Sequence, residues 1–250
     1  MKRLVILACI TLLSSSFQAN ASEVPPFIFP ELDQALIQVW LAAHTEDANA
    51  LSLNHDELIT QWEEARTEIG EFPLSAYNPY LFIGTLDALV GHLNKAQAQV
   101  DYPEVMAIVD AIQREFQIVR EFHHQDYYPL DLWWDVQAIF TEIHSATNDP
   151  KLGLLEWQEL ECLFDEMICV LHDYEQRAEE NLTNYAPQVD EDSHKAAMNQ
   201  IYECVGFYQE ALMEGYQQNL VWPCDQIKVA LTDILKCYLP KTVAETATVQ

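Results

Sequence analysis

The sequence predicts an all-α protein, an up-and-down array of about eight antiparallel helices arranged as four helical hairpins. Three observations lead there. Only 6 glycines occur in 250 residues while 50% of the chain is hydrophobic, and alternation of apolar and polar residues with period two is scarce. Prolines recur at intervals suited to helix starts, each behind an aromatic or a capping residue. The segments between them carry apolar residues at helical spacing.

In chain order, the pairs Phe29-Pro30, Asn78-Pro79, Tyr102-Pro103, Tyr128-Pro129, Asp149-Pro150 and Trp222-Pro223 each stand just ahead of an apolar-periodic run. Asn54 with Glu57 three residues later has the form of a capping box. These signals predict helices over about 31–47, 55–70, 79–100, 103–124, 129–147, 150–181, 192–219 and 223–239. Short links between long helices make sequential neighbours antiparallel. Residues 241–250 follow Pro240 without a periodic apolar face and read as a flexible tail.

The sixth helix organises the rest. Trp157, Leu160, Phe164, Met167, Leu171 and Tyr174 form a stripe that stays on one helical face at about 100° per residue. A second stripe, Cys162, Asp165, Cys169 and His172, lies nearly opposite. Such a helix is expected to be packed on both sides.

An internal duplication is also expected. Phe29-Pro30-Glu31-Leu32-Asp33 resembles Tyr128-Pro129-Leu130-Asp131, with His44 and His144 near the ends of the helices that follow. Val90-Gly91-His92 similarly parallels Val205-Gly206-Phe207, with Tyr102-Pro103 and Trp222-Pro223 at almost the same offset beyond. The division implied is a first helical unit over 22–126 and a second over 127–240. Gly84 and Gly91, one heptad apart, suggest a close helix approach inside the first unit.

Residues 1–21 read as a secretory signal: Lys2 and Arg3, an apolar run from Leu4 to Leu13, then Ala19-Asn20-Ala21 as cleavage site. Periplasmic or secreted localisation is therefore expected. Removing Lys2 and Arg3 takes the formal charge from -28 to -30, because those 21 residues contain no Asp or Glu. Phosphate binding needs clustered Lys and Arg, so this balance argues against nucleic acid and anionic lipid as ligands. Cations or a basic protein partner fit it.

No Gly-x-Ser-x-Gly, His-Glu-x-x-His, Gly-x-Gly-x-x-Gly or phosphate-binding loop occurs, and no Cys-x-x-Cys-His for haem attachment. Asp131 and Asp135, four apart, read as a solvated acidic face rather than a general acid and base. Trp133 and Trp134 could line a ligand slot, but adjacent tryptophans on a helix usually divide between core and boundary.

Two clusters are candidates for a transition-metal ion such as zinc, copper or iron. Glu121, His123, His124 and Asp126 lie together at the end of the fourth helix, where helix-dipole interaction competes as an explanation. Asp165, Cys169 and His172 combine thiol, imidazole and carboxylate at one-turn spacings, and structural cysteines compete there.

Five cysteines follow the signal: Cys162, Cys169, Cys204, Cys224 and Cys237. Cys162 and Cys169 stand about 10.5 Å apart along one helix, too far to bridge. With turns centred near 187 and 221, Cys169, Cys204 and Cys237 share nearly one height, so Cys204 to Cys237 is the expected disulfide and Cys169 to Cys204 the alternative. The sequence thus predicts an exported acidic helical bundle with a non-enzymatic binding or scaffolding role. Metal-ion binding or handling is the second reading.

Overall fold

The computed structural model describes residues 27–72, 78–123, 128–185, 189 and 191–240. The signal segment with its cleavage site at Ala21 and the tail over 241–250 lie outside the described residues. Eight helices and no strand occur among those described: α1 Pro30–His44, α2 Ala48–Glu71, α3 Pro79–Gln99, α4 Tyr102–Phe122, α5 Pro129–Thr147, α6 Leu154–Tyr185, α7 Glu191–Glu214 and α8 Gln217–Cys237. No helix among them is long and apolar enough to cross a membrane.

Proline and side-chain caps start these helices much as the sequence suggests, with three shifts. Pro30, Pro79, Pro103 and Pro129 sit in first turns, where a missing N–H costs no helical hydrogen bond. The second helix begins seven residues early: Asp47 caps it by accepting from the N–H groups of Asn49 and Ala50, both at 3.0 Å. Asn54 instead sends its side-chain amide to the Gln38 carbonyl at 3.1 Å, tying α2 to α1. Asp149-Pro150 does not open α6; the Asp149 carboxylate accepts from the Lys151 N–H at 2.8 Å in a tight turn, and helix starts after Gly153.

The third shift has the largest consequence. Gly215, at φ +74, ends α7, and α8 starts at Gln217, which puts Pro223 inside α8 rather than at its head. The parallel between Trp222-Pro223 and Tyr102-Pro103 therefore fails, because only the latter opens a helix.

Helices α1 to α4 contact one another in a closed ring: α1 with α2, α2 with α3, α3 with α4 and α4 with α1. Helix α5 packs on α6 and α8, and α7 packs closely on α8. Consecutive helices α6 and α7 are different. Their backbones scarcely approach, and side chains span the gap, as where Phe164 and Tyr208 meet at 4.9 Å between ring centroids. The front stripe of α6 is core as expected from Leu160 onward, with Leu160, Phe164, Met167, Leu171 and Tyr174 all buried, while Trp157 at its start is half-buried and donates its indole N–H to Glu161 at 3.1 Å. The back stripe is not packed: Cys162, Asp165, Cys169 and His172 all face solvent. Gly84 and Gly91 mark no close approach either, since a Cβ at each would meet nothing within 4 Å.

One buried ionic network joins α4 to the starts of α1 and α5. Arg120 is 1% exposed and uses Nε, at 2.8 Å, and Nη2 on the two carboxylate oxygens of Asp131, while Nη1 donates to the Phe27 carbonyl at 3.0 Å. The guanidinium also lies 4.7 Å from the Tyr128 ring centroid, and the Tyr128 hydroxyl donates to Asp33 at 2.6 Å. Asp131 is therefore not part of a solvated acidic face; Asp135, one turn on, accepts from Arg114 at 2.9 Å and from Gln117 at 3.0 Å. The two motifs that resemble each other, around Asp33 and around Asp131, flank the same arginine. Trp40 of α1 adds apolar contact across this junction, edge-on to Trp133 and Trp134 of α5 at 6.2 and 6.1 Å.

Candidate functional site

Among the described residues the sequence-based metal candidates do not assemble. Asp165, Cys169 and His172 sit exposed on α6, where His172 comes within 3.9 Å of Glu175. Glu121 accepts from Gln117 at 3.2 Å, and the His123 ring stacks on Phe27 at 5.1 Å. His124 and Asp126 lie outside the described residues. Among those described, no three His, Cys, Asp or Glu side chains are placed to share a metal ion. His44 stacks on Trp40 at 4.8 Å, and burial together with Lys228 and Lys236 pushes its pKa down. His144 lies 3.7 Å from Asp225.

The cysteines depart from expectation too. No disulfide joins Cys204 to Cys237, or any other pair of the five described cysteines. The α7–α8 turn lies at Gly215 and Tyr216, so Cys204 stands level with about residue 227 of α8. Cys237 is then some ten residues further along, roughly 15 Å at the helical rise. The alternative partner, Cys169, faces solvent whereas Cys204 is buried. Cys237 instead donates its thiol to the Asp233 carbonyl at 3.3 Å.

The same misplaced turn reveals a surface that sequence reasoning missed. With α8 beginning at Gln217, Trp222 falls beside Phe207 of α7, their ring centroids 5.7 Å apart. Both remain open to solvent, Trp222 at 59% and Phe207 at 41%, and the hairpin tip adds Met213 and Tyr216, also exposed. Beneath the aromatic pair runs a groove of about 540 Å³ walled by Asn199, Gln200, Glu203, Cys204 and Gln226. Glu203, Glu210, Glu214 and Asp225 are exposed on the same hairpin, which carries seven acids against three lysines from 191 to 240. Burial of the Cys204 thiol and the neighbouring Glu203 push its pKa up, so it stays a protonated, apolar part of the groove floor. The signal was present in the sequence as Gly215, a helix-stopping glycine that puts Trp222 inside the next helix.

This hairpin is anchored to α5. Tyr208 and Thr147 bond through their hydroxyls at 2.7 Å, and Gln217 donates to the Thr147 and Asp149 carbonyls at 2.9 and 2.6 Å. The exposed rings thus stand on a fixed base. Trp133 and Trp134 form no comparable slot: both are buried, Trp133 fully and Trp134 at 7%, the latter edging a recess with Asp110 and Arg114. Comparison with protein-family models, curated proteins and solved structures found no match for this chain.

Proposed function

We propose that this is an exported, non-enzymatic binding or scaffolding protein that uses the α7–α8 hairpin to engage a basic amphipathic segment of another protein. The observation that carries this reading is the Phe207–Trp222 pair, held open beside a groove that Glu203 and Cys204 help to line, on a hairpin whose exposed acids outnumber its lysines. Exposed aromatic side chains on a rigid base are the kind of anchor that dominates binding energy at interfaces. The acidic surround steers a basic segment towards them and disfavours acidic ones. The formal charge of -28 extends that selection over long range at low salt.

The test is calorimetry of the whole protein with synthetic helical peptides of equal length: one basic and amphipathic, one basic and wholly polar, one acidic and amphipathic. Preferential binding of the first is expected, with Trp222→Ala weakening it about tenfold or more. Equal binding of the polar basic peptide, or indifference to Trp222→Ala, would show that charge alone is at work and would remove the reading.

A further inference from the structure

We propose that the cavity between α6 and α7 is a binding site for a short linear polyamine, a flexible chain carrying two or more separated ammonium groups. The cavity exists because these two helices, unlike the other consecutive pairs among the described residues, scarcely approach each other. It is open to solvent on one side, where Glu179, Glu191 and Lys195 are exposed, and holds about 240 Å³, just under the roughly 300 Å³ lower bound of drug-sized pockets, which suits a slender ligand. Its wall is divided. Ala178, Leu182 and Met198 give an apolar strip, while Glu175, Glu179, Glu191 and Lys195 give charge.

Three glutamates against one lysine leave the lining two negative charges in excess. Those carboxylates are not placed to share one metal ion. An occupant that satisfies them must carry positive charges some distance apart, with methylenes between them to cover the apolar strip. Polyamines have that constitution. Metal ions and single ammonium groups do not.

His194 supplies the second, independent observation. It is 7% exposed and forms part of the cavity wall, and its Nε2 lies 2.6 Å from the Tyr174 hydroxyl, itself 3.1 Å from the Tyr238 hydroxyl. Among the described residues none hydrogen-bonds its other nitrogen, Nδ1. Burial lowers the imidazole pKa, so the ring is neutral near pH 7 and adds no repelling charge. The tautomer with Nε2–H donating to Tyr174 leaves Nδ1 as an acceptor, and that is the tautomer a bound ammonium selects. Glu175 is fixed beside it by the Tyr202 hydroxyl at 2.7 Å.

Calorimetry of the full chain at 150 mM salt with 1,4-diaminobutane, spermidine, n-butylamine and magnesium chloride tests the site. A saturable one-to-one isotherm is expected for the diamine and the polyamine, with the monoamine at least tenfold weaker. Glu179→Gln with Glu191→Gln should weaken diamine binding tenfold or more. The control pair Glu142→Gln with Glu159→Gln, exposed elsewhere and equal in charge, should leave it within twofold. Circular dichroism confirms that both variants fold. Equal losses in both pairs, binding of magnesium as tight as the diamine, or no binding at millimolar diamine would each overturn the proposal. Trp222→Ala should leave this isotherm unchanged, which separates the cavity from the peptide-binding face.

Discussion

Arg120 and Asp131 meet inside the α4–α5 junction through two nitrogens and two oxygens, shielded from water, with Tyr128 and Asp33 completing the surround. A pair so buried gains little over an apolar replacement but is costly to break, since removal of one partner strands the other charge. Arg120→Met is expected to destabilise the fold by about 3–5 kcal/mol, leaving both Asp33 and Asp131 without their cation. Asp131→Asn should cost less, because Arg120 keeps Asp33 nearby. Urea denaturation followed by circular dichroism distinguishes the two; equal small effects would mean that water reaches the pair.

The same burial predicts a pH dependence. Desolvation is the largest influence on Asp131 and raises its pKa from 3.8 to about 6 against the opposing pull of Arg120; burial raises Asp33 as well. A carboxyl raised on folding binds its proton more tightly in the native state. Its stabilising contribution is therefore full below pH 3.8 and is lost as pH rises through about 6. His44 and His194, both lowered by burial, act in the opposite sense, contributing above pH 6.5 and losing that contribution on acidification. Carbon-detected NMR titration of the carboxyl groups isolates the first effect: the Asp131 midpoint should fall near 6, and a midpoint below 4 would contradict it.

Much of the scaffold could be read from period and punctuation. The α6 stripe from Leu160 to Tyr174 was legible because its residues are all strongly apolar at helical spacing, which has one physical meaning. Cys162, Asp165, Cys169 and His172 had no such single meaning, since thiol, carboxylate and imidazole occur both at sites and on wet surfaces. Arg120 was missed although it falls four residues after Phe116 and seven after Gln113, on the buried face of α4. A charged residue on an apolar stripe is a request for a buried partner, and the partners lay 11 residues away in Asp131 and on a distant helix in Asp33. The disulfide expectation fails for another physical reason: heights along helices depend on where turns fall, and Gly215 makes the turn ahead of Pro223, which lies inside α8.

Gly84 and Gly91 occupy the interior of α3 with open space where a Cβ would stand. Gly84→Ala with Gly91→Ala should stabilise the protein by about 0.5–1 kcal/mol per site, because alanine loses less backbone entropy in a helix. The thermal midpoint is expected to rise by a few degrees. A fall would mean that an unseen surface packs against α3.

Thiol accessibility should divide the cysteines by position. Cys162 and Cys169 are exposed and should alkylate rapidly in the folded protein. Cys204 and Cys224 are buried, with the Cys224 thiol raised to about 11, and should react only on unfolding. Mass spectrometry of protein alkylated in denaturant without reductant should find all five labelled. A pair of these cysteines protected until reduction would show a bridge that the described geometry does not allow.

The helix order has a kinetic consequence. Hairpins α1–α2, α3–α4, α5–α6 and α7–α8 join neighbours in the chain, so each can form early with little loop closure. The network around Arg120 is another matter, since it joins Phe27 to a partner 93 residues away and Asp33 to one 95 residues away. Its closure belongs late in folding, after the hairpins exist. Arg120 and Asp131, 11 residues apart, can meet earlier, but the Phe27 carbonyl and Asp33 reach them only when the first helix docks, and that docking is what expels water from the junction.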